Sequence, residues 1–99
     1  MDTETLLFNK YRLIIMTLLA KNKKLSYKEL KFALSTTDGN LATHLRKLED
    51  AGLIKVHKTF EGRRPKTTYE ITENGRKQLE TFLNNLNEIL KSMKEEVQK

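Results

Sequence analysis

Residues 36–54, TTDGNLATHLRKLEDAGLI, restrict what this chain can fold into more than any other stretch. At helical period the apolar residues Leu41, Leu45 and Leu48 fall on one narrow stripe. The opposite arc holds Thr36, Gly39, Asn40, Thr43, Arg46 and Lys47, all small, polar or cationic. Ala51-Gly52 then stops the helix, because glycine takes the left-handed conformation at a helix end without a Cβ penalty. A thin buried stripe opposite an open, donor-rich arc is a shape that the major groove of DNA admits.

The flanking residues build a frame around this helix. Ser26 and Glu29 form an S-x-x-E capping box, and Leu25 and Leu30 are placed to close a hydrophobic staple over it. A helix is therefore predicted over 26–34, with Leu30 and Leu34 inward. Ser35-Thr36-Thr37 supplies a short turn and the next N-cap, with Asp38 in the first turn where the helix dipole favours an anion. The central helix is predicted over 37–51. Two helices joined this tightly make a helix-turn-helix.

After Gly52 the period changes to two. Leu53 to Phe60 alternates apolar with polar residues, Glu61 to Pro65 is a turn, and Lys66 to Ile71 returns. The expected element is a two-stranded β-hairpin, or wing, over 53–71 with Arg63, Arg64 and Lys66 near its tip.

At the start, one helix is expected over 5–20, with Leu7, Tyr11, Ile14 and Leu18 on one stripe and Phe8, Ile15 and Leu19 on a second. So wide an apolar arc touches either a core and a partner chain or two faces of one core. Thr72 caps a last helix over 72–97, in which Leu79, Leu83, Leu86, Leu90, Met93 and Val97 follow heptad spacing. That seam needs a partner helix, either from a second copy or from the first helix of the same chain; the surplus apolar surface of the first helix favours a homodimer.

Composition narrows the function classes. A net charge of +6 over 99 residues suits a polyanionic partner, and the length fits a single domain, 1–99. The absence of cysteine excludes disulfides, thiolate chemistry and Cys-based metal sites. Asp2 and Glu4 stand where a secretory signal would be cationic, and Leu13–Ala20 is too short to span a membrane. The expectation is a cytoplasmic, nucleoid-associated protein with no membrane partner. No nucleophile elbow or phosphate loop is visible, so no enzymatic activity is expected. His44 and His57 have no cysteine or second histidine at ligand spacing, so no metal and no cofactor are expected either.

Taken together, these elements resemble the winged helix-turn-helix transcriptional regulators of the MarR/ArsR-like kind. The likeness is carried by the string D-G-N-L-x-x-H-L-x-x-L-E-x-A-G, present as Asp38-Gly39-Asn40-Leu41, His44-Leu45, Leu48-Glu49 and Ala51-Gly52. It is carried also by Gly62-Arg63-Arg64-Pro65 and Thr68-Tyr69 in the hairpin, and by Ile71 to Arg76. The resemblance, over about residues 5–92, implies a mainly α (α+β) fold and a homodimer on double-stranded DNA. The third helix would enter the major groove, the wing would follow the backbone or minor groove, and the first and last helices would dimerise. Because cysteine pairs and extra helices are absent, a small-molecule effector is not expected.

Candidate base contacts are Asn40, Thr43 and Lys47, since Asn bridges adenine and Lys reaches guanine acceptors. Gly39 allows close approach to DNA or close packing on the second helix, and both stay open. Thr36, Thr37, Ser26 and Lys28, near helix N-termini, are candidates for phosphate, although capping is the firmer role for Ser26 and Thr37, and Arg46 is a further DNA-binding candidate on the open arc. Arg63, Arg64 and Lys66 serve a groove or phosphate contact, or guard the strand edge. His44 contacts DNA or packs at the core rim. Leu7, Tyr11, Leu79, Phe82, Leu83, Leu86, Leu90 and Met93 are the expected dimer contacts. The expected function is a sequence-specific regulator, a repressor on a palindromic operator. The same residues also fit an architectural, largely non-specific DNA binder or a winged-helix protein-interaction module.

Overall fold

Every helix begins at a residue whose side chain accepts from the first turn. In the computed structural model, which describes residues 2–99, Asp2 accepts from the Thr5 N–H and Asn9 from those of Tyr11 and Arg12. Ser26 and Glu29 close a complete capping box, Thr37 accepts from Asn40, and Thr72 accepts from Gly75. The resulting order is α1 (Thr3–Leu7), α2 (Lys10–Lys21), β1 (Leu25–Ser26), α3 (Tyr27–Leu34), α4 (Asp38–Asp50), β2 (Ile54–Glu61), β3 (Arg64–Ile71) and α5 (Glu73–Val97). The fold is mainly helical with a small antiparallel sheet.

Three features differ from expectation. The first helix is broken in two, because the extended Asn9 (φ −151°) uses its side chain to cap a new helix instead of continuing the old one. This turns Phe8 outward and puts Leu6, Leu7, Arg12, Ile15, Met16 and Leu19 on the buried side. The sheet has three strands, in the order β1-β3-β2, since Leu25 and Ser26 pair with Tyr69 and Thr68 while also starting α3. The hairpin turn is also shorter than expected: Glu61 pairs with Arg64 and Phe60 with Pro65, leaving Gly62-Arg63 as the turn. Pro65 is tolerated in a strand because β1 does not reach it, so no ladder bond needs its missing N–H.

One core gathers Leu30 and Leu34 of α3, Leu41, Leu45 and Leu48 of α4, the buried residues of α1 and α2, and Ile54, Tyr69 and Ile71 of the sheet. Each fully buried leucine contributes about 1.5–3 kcal/mol over an exposed one. The three leucines of α4 thus hold that helix in one rotation, which turns the opposite arc outward. The end of α4 is a Schellman motif, with Leu53 N–H on the Leu48 carbonyl (3.0 Å) and Gly52 N–H on that of Glu49 (2.9 Å). Gly52, at φ 74°, occupies the left-handed position this motif requires.

α5 starts against that same corner. The Thr72 hydroxyl donates to the Gly52 carbonyl at 2.7 Å, and the Thr72 N–H donates to that of Leu53 at 3.0 Å. The contact is so close that a Cβ on Gly75 would run into the Leu53 carbonyl. Only the first half of α5 reaches the core, through Leu79, Phe82 and the half-buried Leu86. Beyond it the helix projects, which stretches the molecule to 60 × 26 × 24 Å.

The expected dimer contacts divide accordingly. Leu7, Leu79 and Phe82 are buried in the single-chain core, and Tyr11 is half-buried against His44, so none of these four lies on a free face. Leu83, Leu90 and Met93, at 40 to 57 % exposure, do, and Ile89 and Val97 are exposed with them. Phe8 sits beside them at the start of the seam, its ring edge-on to Phe82 at 6.3 Å.

Candidate nucleic-acid interface

The turn between α3 and α4 is held by polar bonds as well as by leucines. Ser35 caps α3 in the left-handed conformation (φ 49°), which folds the chain back sharply. The Tyr27 hydroxyl donates to both the carbonyl and the carboxylate of Asp38 at 3.1 Å, and Lys31 Nζ lies 3.0 Å from the same carboxylate. Lys31 first and Tyr27 second hold the Asp38 carboxyl below its ordinary pKa, while burial and the Asp38 bond raise that of Tyr27. The ion pair is exposed and screened by solvent. Its importance is geometric, because it pins the N-terminus of α4 to α3.

The outer arc of α4 is open. Thr37, Gly39, Asn40, Thr43, Arg46 and Lys47 are exposed, and Thr36 is half-exposed at the turn. The Thr43 hydroxyl donates to the Gly39 carbonyl at 2.9 Å, leaving its oxygen able to accept from outside. A Cβ built on Gly39 would meet nothing within 4 Å. Close packing on α3 therefore does not explain that glycine, although in a helix it costs up to about 1 kcal/mol against alanine.

The wing carries a second set of cations. Arg63 and Arg64 are exposed and, among the described residues, engage no carboxylate, whereas Lys66 Nζ is held 3.0 Å from Glu61. Between β3 and the start of α3 lies a cleft of about 540 Å³, lined by Ser26, Lys28, Arg64 and Lys66 among others. Lys28 thus joins the wing cations rather than those of α4. The Ser26 hydroxyl is occupied by the capping box.

His44 has an environment that the sequence did not indicate. Its Nδ1 lies 3.0 Å from Nη1 of Arg12, and its ring stacks on Tyr11 at 5.7 Å. Arg12 is only 6 % exposed, and its Nε donates to the Leu6 carbonyl at the end of α1. Among the described residues no carboxylate pairs with Arg12, and burial lowers its pKa. Since a guanidinium only donates, His44 Nδ1 must accept, and the ring proton of the neutral form resides on Nε2. Burial first, then the charges of Arg12 and Lys47, push the His44 pKa down and keep the ring neutral. His57 is elsewhere, with Nε2 2.9 Å from Glu70 on the neighbouring strand, a bond that lowers the Glu70 pKa. Among the described residues no three His, Cys, Asp or Glu side chains gather where a metal could bind, and no helix is long and apolar enough to cross a membrane.

Sequence reasoning missed Arg12 and Gly75. An arginine inside an apolar stripe was the only available signal for the first, and nothing local marks the second.

Comparison with known proteins extends this geometry. Residues 11–90 match the winged helix DNA-binding domain family. An uncharacterised protein of Methanocaldococcus jannaschii is 39% identical over 83 residues, 84% of this chain and 87% of that protein. The structure of a transcriptional regulator homologue from Pyrococcus horikoshii superposes with a TM-score of 0.83 at 35% identity, covering 90% of this chain and 88% of that one. Bacillus subtilis PadR, solved in complex with operator DNA, superposes with a TM-score of 0.63 at 26% identity, over 75% of this chain and 46% of PadR. A family match running from α2 to the projecting half of α5, with 35% identity to a regulator of known structure, makes this chain a member of the winged helix DNA-binding domain family of transcriptional regulators.

Proposed function

We propose that this regulator acts as a homodimer that binds double-stranded DNA sequence-specifically, on a palindromic operator, and represses by occupying it. The recognition string Asp38 to Gly52 further favours the short MarR/ArsR-like branch. The observation that carries the proposal is the unobstructed outer arc of α4: Gly39 faces open space, and Asn40, Thr43 and Lys47 on the same helix are exposed. α4 supplies base contacts through Asn40, Thr43 and Lys47. Thr36, Thr37, His44, Arg46, Lys28, Arg63, Arg64 and Lys66 hold the backbone on either side.

The exposed apolar half of α5 supports dimerisation. Leu83, Leu90, Met93 and Val97 keep heptad spacing past the point where the core closes, so a second α5 covers them. Two recognition helices about 34–36 Å apart require half-sites one helical turn apart.

The test is selection from a random duplex pool, followed by anisotropy titration across about 50–200 mM salt. A palindromic consensus bound about 10³-fold more tightly than random DNA is expected, with Asn40→Ala relaxing the ranking by about 1–3 kcal/mol. Leu90→Glu should yield a monomer by light scattering, with affinity reduced to that of one half-site. A steep salt slope with no sequence preference would refute specificity and leave an architectural binder.

A further inference from the structure

The hairpin is longer than the core requires. On its inner face Ile54 pairs with Ile71 and Val56 with Tyr69, and these four meet the helices. The same face then continues past them, because residues two apart share a face and directly opposed residues share it too. It carries Lys58 opposite Thr67, then Phe60 opposite Pro65. At about 3.3 Å per residue, Phe60 stands ~13 Å beyond the last core pair. It is 74 % exposed, and among the described residues no aromatic ring pairs with it.

Cations lie along the same hairpin: Lys58 on the same face, Arg63 in the turn and Arg64 next to Pro65. Lys58, Arg63 and Arg64 are exposed and, among the described residues, pair with no carboxylate. Pro65 also lines the cleft shared with Lys28 at the start of α3. An apolar contact with unpaired cations along the same hairpin complements a partner whose own apolar strip runs between two rows of anions. A DNA groove has that layout, with sugars and base edges between phosphates. Large apolar side chains at such positions insert between base steps and partly unstack them.

We propose that Phe60, backed by Pro65, is a wedge that enters the minor groove and opens one base step, so that duplex deformability contributes to site choice. This rests on the DNA-binding function proposed above. The competing role is cross-strand packing of Phe60 on Pro65, which would steady the hairpin and leave DNA undistorted.

Two duplexes of about 30 base pairs separate these roles, one with flexible alternating TA steps and one a stiff A-tract, each with 2-aminopurine at the probed step. Wild-type protein should raise the fluorescence of the TA duplex and bind it in preference to the A-tract. Phe60→Val keeps a β-branched residue packed on Pro65 but lacks the ring. It should abolish the rise, weaken binding to the TA duplex about tenfold and bring the two duplexes level, with the salt slope unchanged. Arg63→Ala should keep the rise and reduce the salt slope by about 1. Binding without a fluorescence rise, or a Phe60→Val protein that unstacks and ranks the duplexes as wild type does, would overturn the wedge and leave the DNA-binding function standing. No binding of wild-type protein to either duplex at low salt would overturn both.

Discussion

Replacing Arg12 by methionine tests whether the buried guanidinium fastens α1 and α2 to the recognition helix. Methionine keeps most of the apolar stem, so the change isolates the two polar bonds, Nε to the Leu6 carbonyl and Nη1 to His44 Nδ1. Leu6 lies in the last turn of a five-residue helix, where carbonyls lack intrahelical partners. Leaving a buried acceptor unsatisfied costs about 1–3 kcal/mol. The His44 nitrogen costs less, since water reaches the half-exposed ring. Against this, Arg12 is a buried cation that among the described residues has no carboxylate partner, and its removal recovers some desolvation energy. The expected net loss is about 2 kcal/mol, or roughly 10 °C in Tm for a domain this small. It should be read by urea and thermal melts at fixed protein concentration, because dimerisation would otherwise shift the midpoint. Long-range ¹H–¹⁵N spectra provide the second readout: His44 should carry its proton on Nε2 in the wild type and populate both tautomers in Arg12→Met. A variant as stable as wild type, with the tautomer unchanged, would refute the clamp and show that the leucines alone orient α4.

Other substitutions probe different terms. Gly39→Ala should stabilise the free protein by up to about 1 kcal/mol, because its Cβ meets nothing, while weakening DNA binding; unchanged affinity would show that the open position is not used for close approach. Gly75→Ala should destabilise by about 3 kcal/mol, since its Cβ runs into the Leu53 carbonyl, and a melt indistinguishable from wild type would contradict that packing. His44 has a folded-state pKa below its unfolded value of about 6.5, so the unfolded chain takes up the proton first on acidification. Stability from this group is fully present above about pH 6.5 and is lost as pH falls through the folded pKa. His44→Gln should flatten the stability–pH curve in that window, and an unchanged slope would assign it to other groups.

Much of the fold was legible in the sequence because it is encoded in short-range patterns. The Ser26–Glu29 capping box, the Thr37 and Thr72 caps, the Leu41-Leu45-Leu48 stripe and the glycine stop at Gly52 each depend on residues within one or two turns of one another. The hairpin was legible as a change of period, although its turn was placed too wide, because Arg64 and Pro65 look like turn residues until their cross-strand partners are known. α1 and α2 merged for a related reason: the apolar spacing runs unbroken through Phe8 and Asn9, and only the Asn9 backbone conformation reveals the restart.

The sequence by itself determined the helix-turn-helix, the hairpin and the last helix in order, the buried stripe of α4 and the cationic character of the polar faces, since propensity and periodicity act locally. The tertiary structure alone decided three things. It put Arg12 against His44, 32 residues away in sequence, and so assigned that ring its acceptor nitrogen. It took Leu7, Leu79 and Phe82 into the single-chain core while leaving Leu83, Leu90, Met93 and Val97 uncovered, a division set by where the core runs out of neighbours to bury against. It also showed that Gly39 faces open space and Gly75 a carbonyl, two glycines that are alike as letters. Which atoms lie opposite a residue is a property of elements brought together from distant parts of the chain, and no local pattern carries it.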